Sequence, residues 1–308
     1  MGVILAERRN IDELREKMLK AAKEGIKSAY TSEEYALMQA VNAYRETSKS
    51  YNLAYERLTE WYGIYFPEIR MSNPDTLADL AIALNDKPSI TKDSILAVVK
   101  DKEKAESIYT KAQSTIGRQM NGDEKAALIG YAGMCKDMGA ALKSIEAYLK
   151  VASERILPNT TKLTDEKIAA ELLAKAGSME RLALMPASTI QLLGAEKALF
   201  KHIKYGSKPP KYGVLFKLPK INSGRKDLRG RYARAYAAKI AIALKADYFT
   251  KNSIADRLLK DLEGSIKRID EAPQRERPTQ QGPYRPHRER RDFRRSQSRG
   301  NRHEMQAR

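Results

Sequence analysis

One cysteine, Cys135, and three histidines, His202, His287 and His303, are all that this 308-residue chain offers of the residue types that most often bind metals or act as nucleophile and base. A single cysteine cannot close a disulfide within the chain, which fits a reducing compartment, and it leaves no CxxC pair for a zinc site. No GxGxxG turn and no GxxxxGK[ST] loop occurs, so the usual α/β pockets for dinucleotides, nucleoside triphosphates or S-adenosylmethionine are not expected. A Ser-His-Asp triad would have to use His202, which lies among lysines with no motif around any serine. No catalytic residue, no metal and no cofactor is therefore expected, and the chain reads as not an enzyme. Long apolar runs are also lacking. A membrane span needs ~20 apolar residues, and the apolar run Ala237 to Leu244 is interrupted by Lys239. Gly2 is followed by Ala6, where a myristoylation site wants Ser or Thr, and the apolar stretch near the start is too short for a signal peptide. No membrane partner is expected.

Acidic residues are outnumbered. There are 57 Lys and Arg against 39 Asp and Glu, a formal net charge of +18. Such an excess draws polyanions through long-range attraction and counterion release, and says nothing of fold. Much of it is concentrated between Lys197 and Lys239, where thirteen basic residues meet one acid, Asp227. Lys197, Lys201 and Lys204 step by four and three, which puts them on one helix face. Leu199 and Ile203 on another face are expected to dock to the core. Arg231 and Arg234 are near neighbours on a later helix, whose Ala235, Ala238 and Ile242 offer a packing stripe. A helix, a Gly/Pro/Lys loop and a second basic helix can cradle a phosphate backbone, with Tyr205 and Tyr212 placed to stack on splayed bases.

The apolar periodicity is helical throughout. Residues 11–29 read as a charged helix, and Thr31 with Glu34 as a capping box for the next. Leu37, Val41, Tyr44, Ser48, Tyr51, Tyr55, Leu58, Tyr62 and Tyr65 then alternate steps of four and three, a heptad seam that Pro67 ends. Short helices and turns fill 70–100, and 101–117 is helical again. Asn121 and Glu124 cap a second seam through Leu128, Tyr131, Cys135, Met138, Leu142, Ile145, Leu149, Ala152 and Ile156. Two such helices can pack antiparallel as a coiled-coil arm, helped by a second copy. Helical segments 165–176, 178–185, 188–204, 228–249 and 252–268 follow, with an irregular stretch at 205–227. The expected fold class is all-α: a long antiparallel coiled-coil arm, a compact helical domain and a basic tail. The expected divisions are an N-terminal helix 1–30, a coiled-coil domain 31–159, a helical domain 160–270 and a tail 271–308. The tail has eleven arginines, no lysine and few aliphatic residues, so it is expected to be disordered.

Several stretches resemble the Nop family. The run PASTIQLLGAEKALFKHIKYGSKPPKYGVLF, Pro186 to Phe216, is similar to the signature of the Nop domain. So are Gly177-Ser178-Met179-Glu180, Arg229-Gly230-Arg231, Ala233-Arg234-Ala235, Ala237-Ala238-Lys239 and Asp247-Tyr248-Phe249. Pro158-Asn159-Thr160-Thr161-Lys162-Leu163 resembles the family's turn after the coiled coil, and Glu60-Trp61-Tyr62-Gly63 with Phe66-Pro67-Glu68 the end of its first long helix. The resemblance covers roughly residues 35 to 268. It implies a scaffold that binds a box C/D guide RNA at a kink-turn together with a small kink-turn-binding protein of ribosomal type. It further implies a homodimer through the coiled coil, and fibrillarin positioned for 2′-O-methylation of RNA. By match, Gln191, Gly194, Ala195, Glu196, Lys197, Phe200, Lys201 and Lys204, the loop with Lys208, Lys211 and Tyr212, and the helix with Arg229, Arg231 and Arg234 would form the face for RNA and kink-turn protein. The family has His where Tyr212 stands. Only ~30 residues precede the coiled coil, so the α/β domain that holds fibrillarin in archaeal members is expected to be missing. The setting implied is cytoplasmic in an archaeon and nucleolar in a eukaryote. The alternatives are a spliceosomal relative that binds a small nuclear RNA kink-turn, and a non-specific RNA chaperone.

Overall fold

The computed structural model describes residues 2–84 and 90–271, and every regular element among them is helical. The expected disorder of the tail concerns residues that, Glu271 apart, lie outside those described. The helices are α1 Gly2–Thr31, α2 Glu33–Tyr62, α3 Pro74–Ala83, α4 Lys92–Val98, α5 Lys102–Gln113, α6 Gly122–Ile156, α7 Pro158–Leu163, α8 Glu166–Ala176, α9 Met179–Leu184, α10 Ala187–Leu192, α11 Glu196–Tyr205, α12 Pro219–Asn222, α13 Arg229–Lys245 and α14 Ala255–Asp270. A 3₁₀ turn at Val214–Lys217 and a π turn at Ala246–Thr250 complete the set. None of the described helices is long and apolar enough to cross a membrane. The described residues form two compact units, one within 39–149 and one that joins those before 39 to those from 150 to 271.

In the first unit, α2 and α6 run antiparallel. Tyr51 lies against Gly139, and Trp61 packs on Tyr131 with ring centroids 5.9 Å apart, so residue numbers fall along α6 as they rise along α2. The α2 and α6 seam positions in this unit are all buried or half-buried. Leu58, Tyr62, Leu128, Ala132 and Cys135 form the shared core, onto which Leu77 and Leu80 of α3, Leu84 just after it, Ile95 of α4 and Ile108 of α5 pack. Cys135 is a small core residue, and burial pushes its thiol pKa up. At the turn into α6, Asn121 and Glu124 cap each other reciprocally, at 2.8 and 3.1 Å. Thr31 and Glu34 form no such box. The chain breaks at Ser32, the Thr31 hydroxyl donates to Lys27 O, and Glu34 faces elsewhere.

Thr31 and Glu34 belong to the other unit, and within it Glu34 accepts from the Met179 amide at 2.7 Å, at the start of α9. Beside it Glu33 pairs with Arg155 at 2.8 Å. α13 is the central helix of this unit, and Tyr232, Ala233, Ala237, Ile240, Ala241, Ala243 and Leu244 are its buried residues. Ala235, Ala238 and Ile242 are not. Ala238 and Ile242 are exposed and Ala235 half-buried, so the expected packing stripe faces outward. The segment expected as one helix, 188–204, is two. Gly194 adopts φ +90° between α10 and α11, a conformation that costs a side-chain-bearing residue roughly 1–2 kcal/mol.

A buried carboxylate fastens three elements of this unit. Asp247, in the π turn, accepts from the Asn159 amide (2.9 Å) and side chain (2.7 Å), and from the Thr160 amide (3.0 Å) and hydroxyl (2.7 Å). The Asn159 side-chain Oδ1 in turn accepts from the amides of Ile254 and Ala255 at 2.8 and 3.0 Å, which caps α14.

Candidate nucleic-acid interface

The site is built around α11, a helix with no buried residue. Its start is fixed by Glu196, which accepts from the Gly194 amide at 2.6 Å, with Ala195 half-buried at the N-cap. Its end is fixed by Gly206 in the left-handed region and by His202, whose ring Nδ1 donates to Ser207 O. His202, weighed in the sequence only as a catalytic histidine, is here a structural residue of the site, and its spacing of five from Ser207 is a turn contact without a sequence signature. Lys197, Lys201 and Lys204 share one exposed face, and the Lys204 ammonium lies 5.2 Å from the centre of its neighbour Tyr205. Phe200 and Ile203 are 63% and 64% exposed, and Leu199 is half-buried. Ile203 therefore does not dock to the core as expected. It stands with Phe200 beside the lysine face as a second, apolar strip.

The loop after α11 is held from behind. Gln191 Nε2 donates to Lys211 O at 2.6 Å, the Gly213 amide to Gln191 O at 2.9 Å, and the Val214 amide to Leu193 O at 2.7 Å. A Cβ on Gly213 would sit 2.0 Å from Leu193 O, so only glycine allows this approach. Tyr212 stacks on Phe216 at 4.8 Å and 11°, and the Arg229 guanidinium lies 5.5 Å from the same Phe216 ring. Arg229 also donates to Gly224 O at 3.0 Å and to Asn222 O at 2.5 Å. Its donors thus hold the loop that precedes α13.

The thirteen basic residues between Lys197 and Lys239 are not equivalent. Lys217 pairs with Glu171 (2.5 Å), Lys220 with Asp270 (2.8 Å), Arg225 with Asp227 (3.1 Å) and Lys239 with Asp261 (2.9 Å). Lys220 holds the Asp270 carboxyl below the usual range, with help from the Tyr232 hydroxyl, which burial and Asp270 push up to about 12. With Arg229 bound to backbone carbonyls, eight remain: Lys197, Lys201, Lys204, Lys208, Lys211, Lys226, Arg231 and Arg234. All eight are exposed, and none has an ion-pair partner among the described residues. Three of the four pairing acids lie outside the stretch, at separations of up to 50 residues, which a local count cannot see. Among the described residues no group of three His, Cys, Asp or Glu side chains gathers to hold a metal.

Fold and face together define an all-α protein with a strongly electropositive surface, whose cations have no ion-pair partner among the described residues, beside exposed apolar side chains. The family model described as "Nop: snoRNA binding domain, fibrillarin" matches residues 43–268, and the chain belongs to the Nop family. It is 35% identical over 266 residues to an uncharacterized NOP5 family protein of Methanocaldococcus jannaschii, covering 84% of this chain and 64% of that one. It is 32% identical over 225 residues to nucleolar protein 56 of Dictyostelium discoideum, covering 71% and 42%. To nucleolar protein 58 of Saccharomyces cerevisiae it is 33% identical over 215 residues, covering 68% and 42%. The chain thus spans less than two thirds of the length of these relatives.

Proposed function

We infer that this chain is a non-enzymatic RNA-binding scaffold of a box C/D guide ribonucleoprotein. In this reading it recognises a kink-turn in the guide RNA jointly with a small kink-turn-binding protein, and so supports guide-directed 2′-O-methylation by fibrillarin. One observation carries the reading: α11 presents unpaired lysines on one face and exposed Phe200 and Ile203 beside it, with nothing of the helix buried. The strip of Phe200 and Ile203 beside the lysines is of a kind that an apolar protein surface can cover. A composite partner, phosphate on one side and an apolar protein surface on the other, covers both strips. Membership of the Nop family supports the same reading.

A division of the chain is proposed to match this role, with breaks close to those of the two compact units at 38/39 and 149/150. Residues 160–270 form the ribonucleoprotein-binding part, and the 31–159 coiled coil is the site of homodimerisation. Leu53, Met134 and Tyr148, large side chains left exposed on α2 and α6, support packing by a second copy. Within the face, Lys197, Lys201, Lys204, Lys208, Lys211, Arg231 and Arg234 meet phosphates. Phe200 meets the protein, and Gln191, Gly194, Ala195 and Glu196 set the helix start and the loop. The deciding experiment is a gel-shift titration of kink-turn RNA at near-physiological salt, with and without a kink-turn-binding protein. Tight binding only when both are present is the expected result. Equal binding to any RNA without help from the small protein would move the function to a non-specific chaperone.

A further inference from the structure

The outward face of α13 continues past the arginines in a way that the proposed kink-turn face does not use. Arg231, Arg234, Ala238, Ile242, Lys245 and Phe249 step by three or four residues, and the π turn at Ala246–Thr250 brings Phe249 onto the same side as Lys245. All six side chains are exposed, Ile242 at 46% and Phe249 at 59%. The stripe runs ~27 Å along the helix. Tyr248 stands edge-on to Phe249 at 4.8 Å and 79°, which orients a ring that would otherwise swing freely. Arg231, Arg234 and Lys245 have no ion-pair partner among the described residues. The one carboxylate carried by this end of the helix, Asp247, is turned inward onto Asn159 and Thr160. Cations at one end, the small Ala238 that lets a backbone approach closely, and an aromatic ring flanked by lysine at the other end form a surface for a flexible polyanion with flat apolar faces.

We propose that this stripe is a second RNA subsite, which takes a single-stranded segment leaving the structured RNA held at α11. Its phosphates pass Arg231 and Arg234, and a base stacks on Phe249 against Ile242 with Lys245 on the adjoining phosphate. The proposal rests on the RNA-binding reading above, and its surface is continuous with that face through Arg231 and Arg234. A protein strip in the same place would leave three cations facing apolar surface, which is why the occupant is RNA.

The test uses the full chain with a kink-turn-binding protein and a kink-turn RNA carrying a single-stranded extension, 5′ in one series and 3′ in the other, with 2-aminopurine placed along it. The expected result is fluorescence quenching at one position in one series. Phe249→Ala should abolish that quenching and weaken binding of the extended RNA by roughly 5- to 100-fold, with affinity for the unextended RNA unchanged. Lys245→Ala should lower the salt dependence of extended-RNA binding by about 0.7 in log–log slope. Both side chains are exposed, so neither variant should shift the thermal transition. No quenching in either series, with equal affinity of wild type and Phe249→Ala for the extended RNA, overturns the subsite. Failure of the wild type to bind even the unextended RNA overturns the scaffold reading and this subsite with it.

Discussion

Arg229 and Arg231 stand two residues apart, carry the same charge and read alike in the sequence. Their surroundings separate them. Arg229 spends its donors on Gly224 O and Asn222 O and lies over Phe216, whereas Arg231 is exposed with no ion-pair partner among the described residues. Arg229→Ala is therefore expected to lower stability by about 1.5–3 kcal/mol, the range for hydrogen bonds from a charged donor. Arg231→Ala and Lys197→Ala should stay within about 0.5 kcal/mol of wild type and instead reduce the salt slope of RNA binding by roughly 0.7–0.9 each. Urea unfolding and salt-dependent titration of the three variants decide this. Equal stability of all three would show that the loop does not depend on Arg229. The residue that sequence reading valued least is Asp247, which passes there as part of a motif match. It accepts four hydrogen bonds in the interior. Asp247→Asn turns an acceptor into a donor against donors, and should destabilise by roughly 2–5 kcal/mol in denaturant titration. An unchanged midpoint would mean that the cluster relaxes around the amide.

Between elements, Asp75 joins three helices. Tyr51 of α2 donates to its Oδ1 at 2.7 Å and Lys143 of α6 to its Oδ2 at 2.5 Å, and these two bonds, that to Lys143 first, hold the carboxyl of this α3 residue below its ordinary pKa. A folded-state pKa below the unfolded one stabilises fully above the unfolded value, near pH 4, and the contribution is lost as pH falls through the folded value. The wild type should therefore lose stability more steeply than Asp75→Asn between about pH 4 and pH 2. Parallel curves in acid denaturation would exclude the contribution. The seams of α2 and α6 were legible because heptad spacing maps directly onto a buried edge, and so was the Asn121–Glu124 cap, whose partners lie three residues apart. Helix ends set by distant partners were not. Glu34 leaves its expected place to meet Met179, which lies 145 residues on in the chain. Residues 188–204 keep helical spacing across Gly194, and the backbone breaks over Leu193 (ψ 127°), Gly194 (φ +90°) and Ala195 (φ −107°). The outward turn of Ile203 and of the stripe on α13 was hidden for a related reason: apolar spacing marks a face but does not say whether the chain itself covers it.

For the molecule as a whole, the formal charge of +18 overstates what the described surface offers to RNA. Between Lys197 and Lys239 eight cations remain without a pairing carboxylate or backbone partner, and eight phosphate contacts correspond to a slope of log K against log salt of roughly −6 to −7. That figure is a ceiling for this face, because a rigid surface rarely meets one phosphate with every side chain. The eleven arginines after Glu271 are a separate reservoir. If they bind RNA, the full chain must show a steeper slope than a chain ending at Glu271, and the difference counts the phosphates they meet. If they do not, the two slopes coincide and only the kink-turn face titrates. Measuring both chains between ~50 and ~300 mM salt on kink-turn RNA and on a random single strand of equal length separates these cases. The specific face should favour the kink-turn RNA in both chains. Any contribution from the tail should appear equally on both RNAs if its arginines meet phosphates alone, since phosphate contacts carry charge and no sequence information.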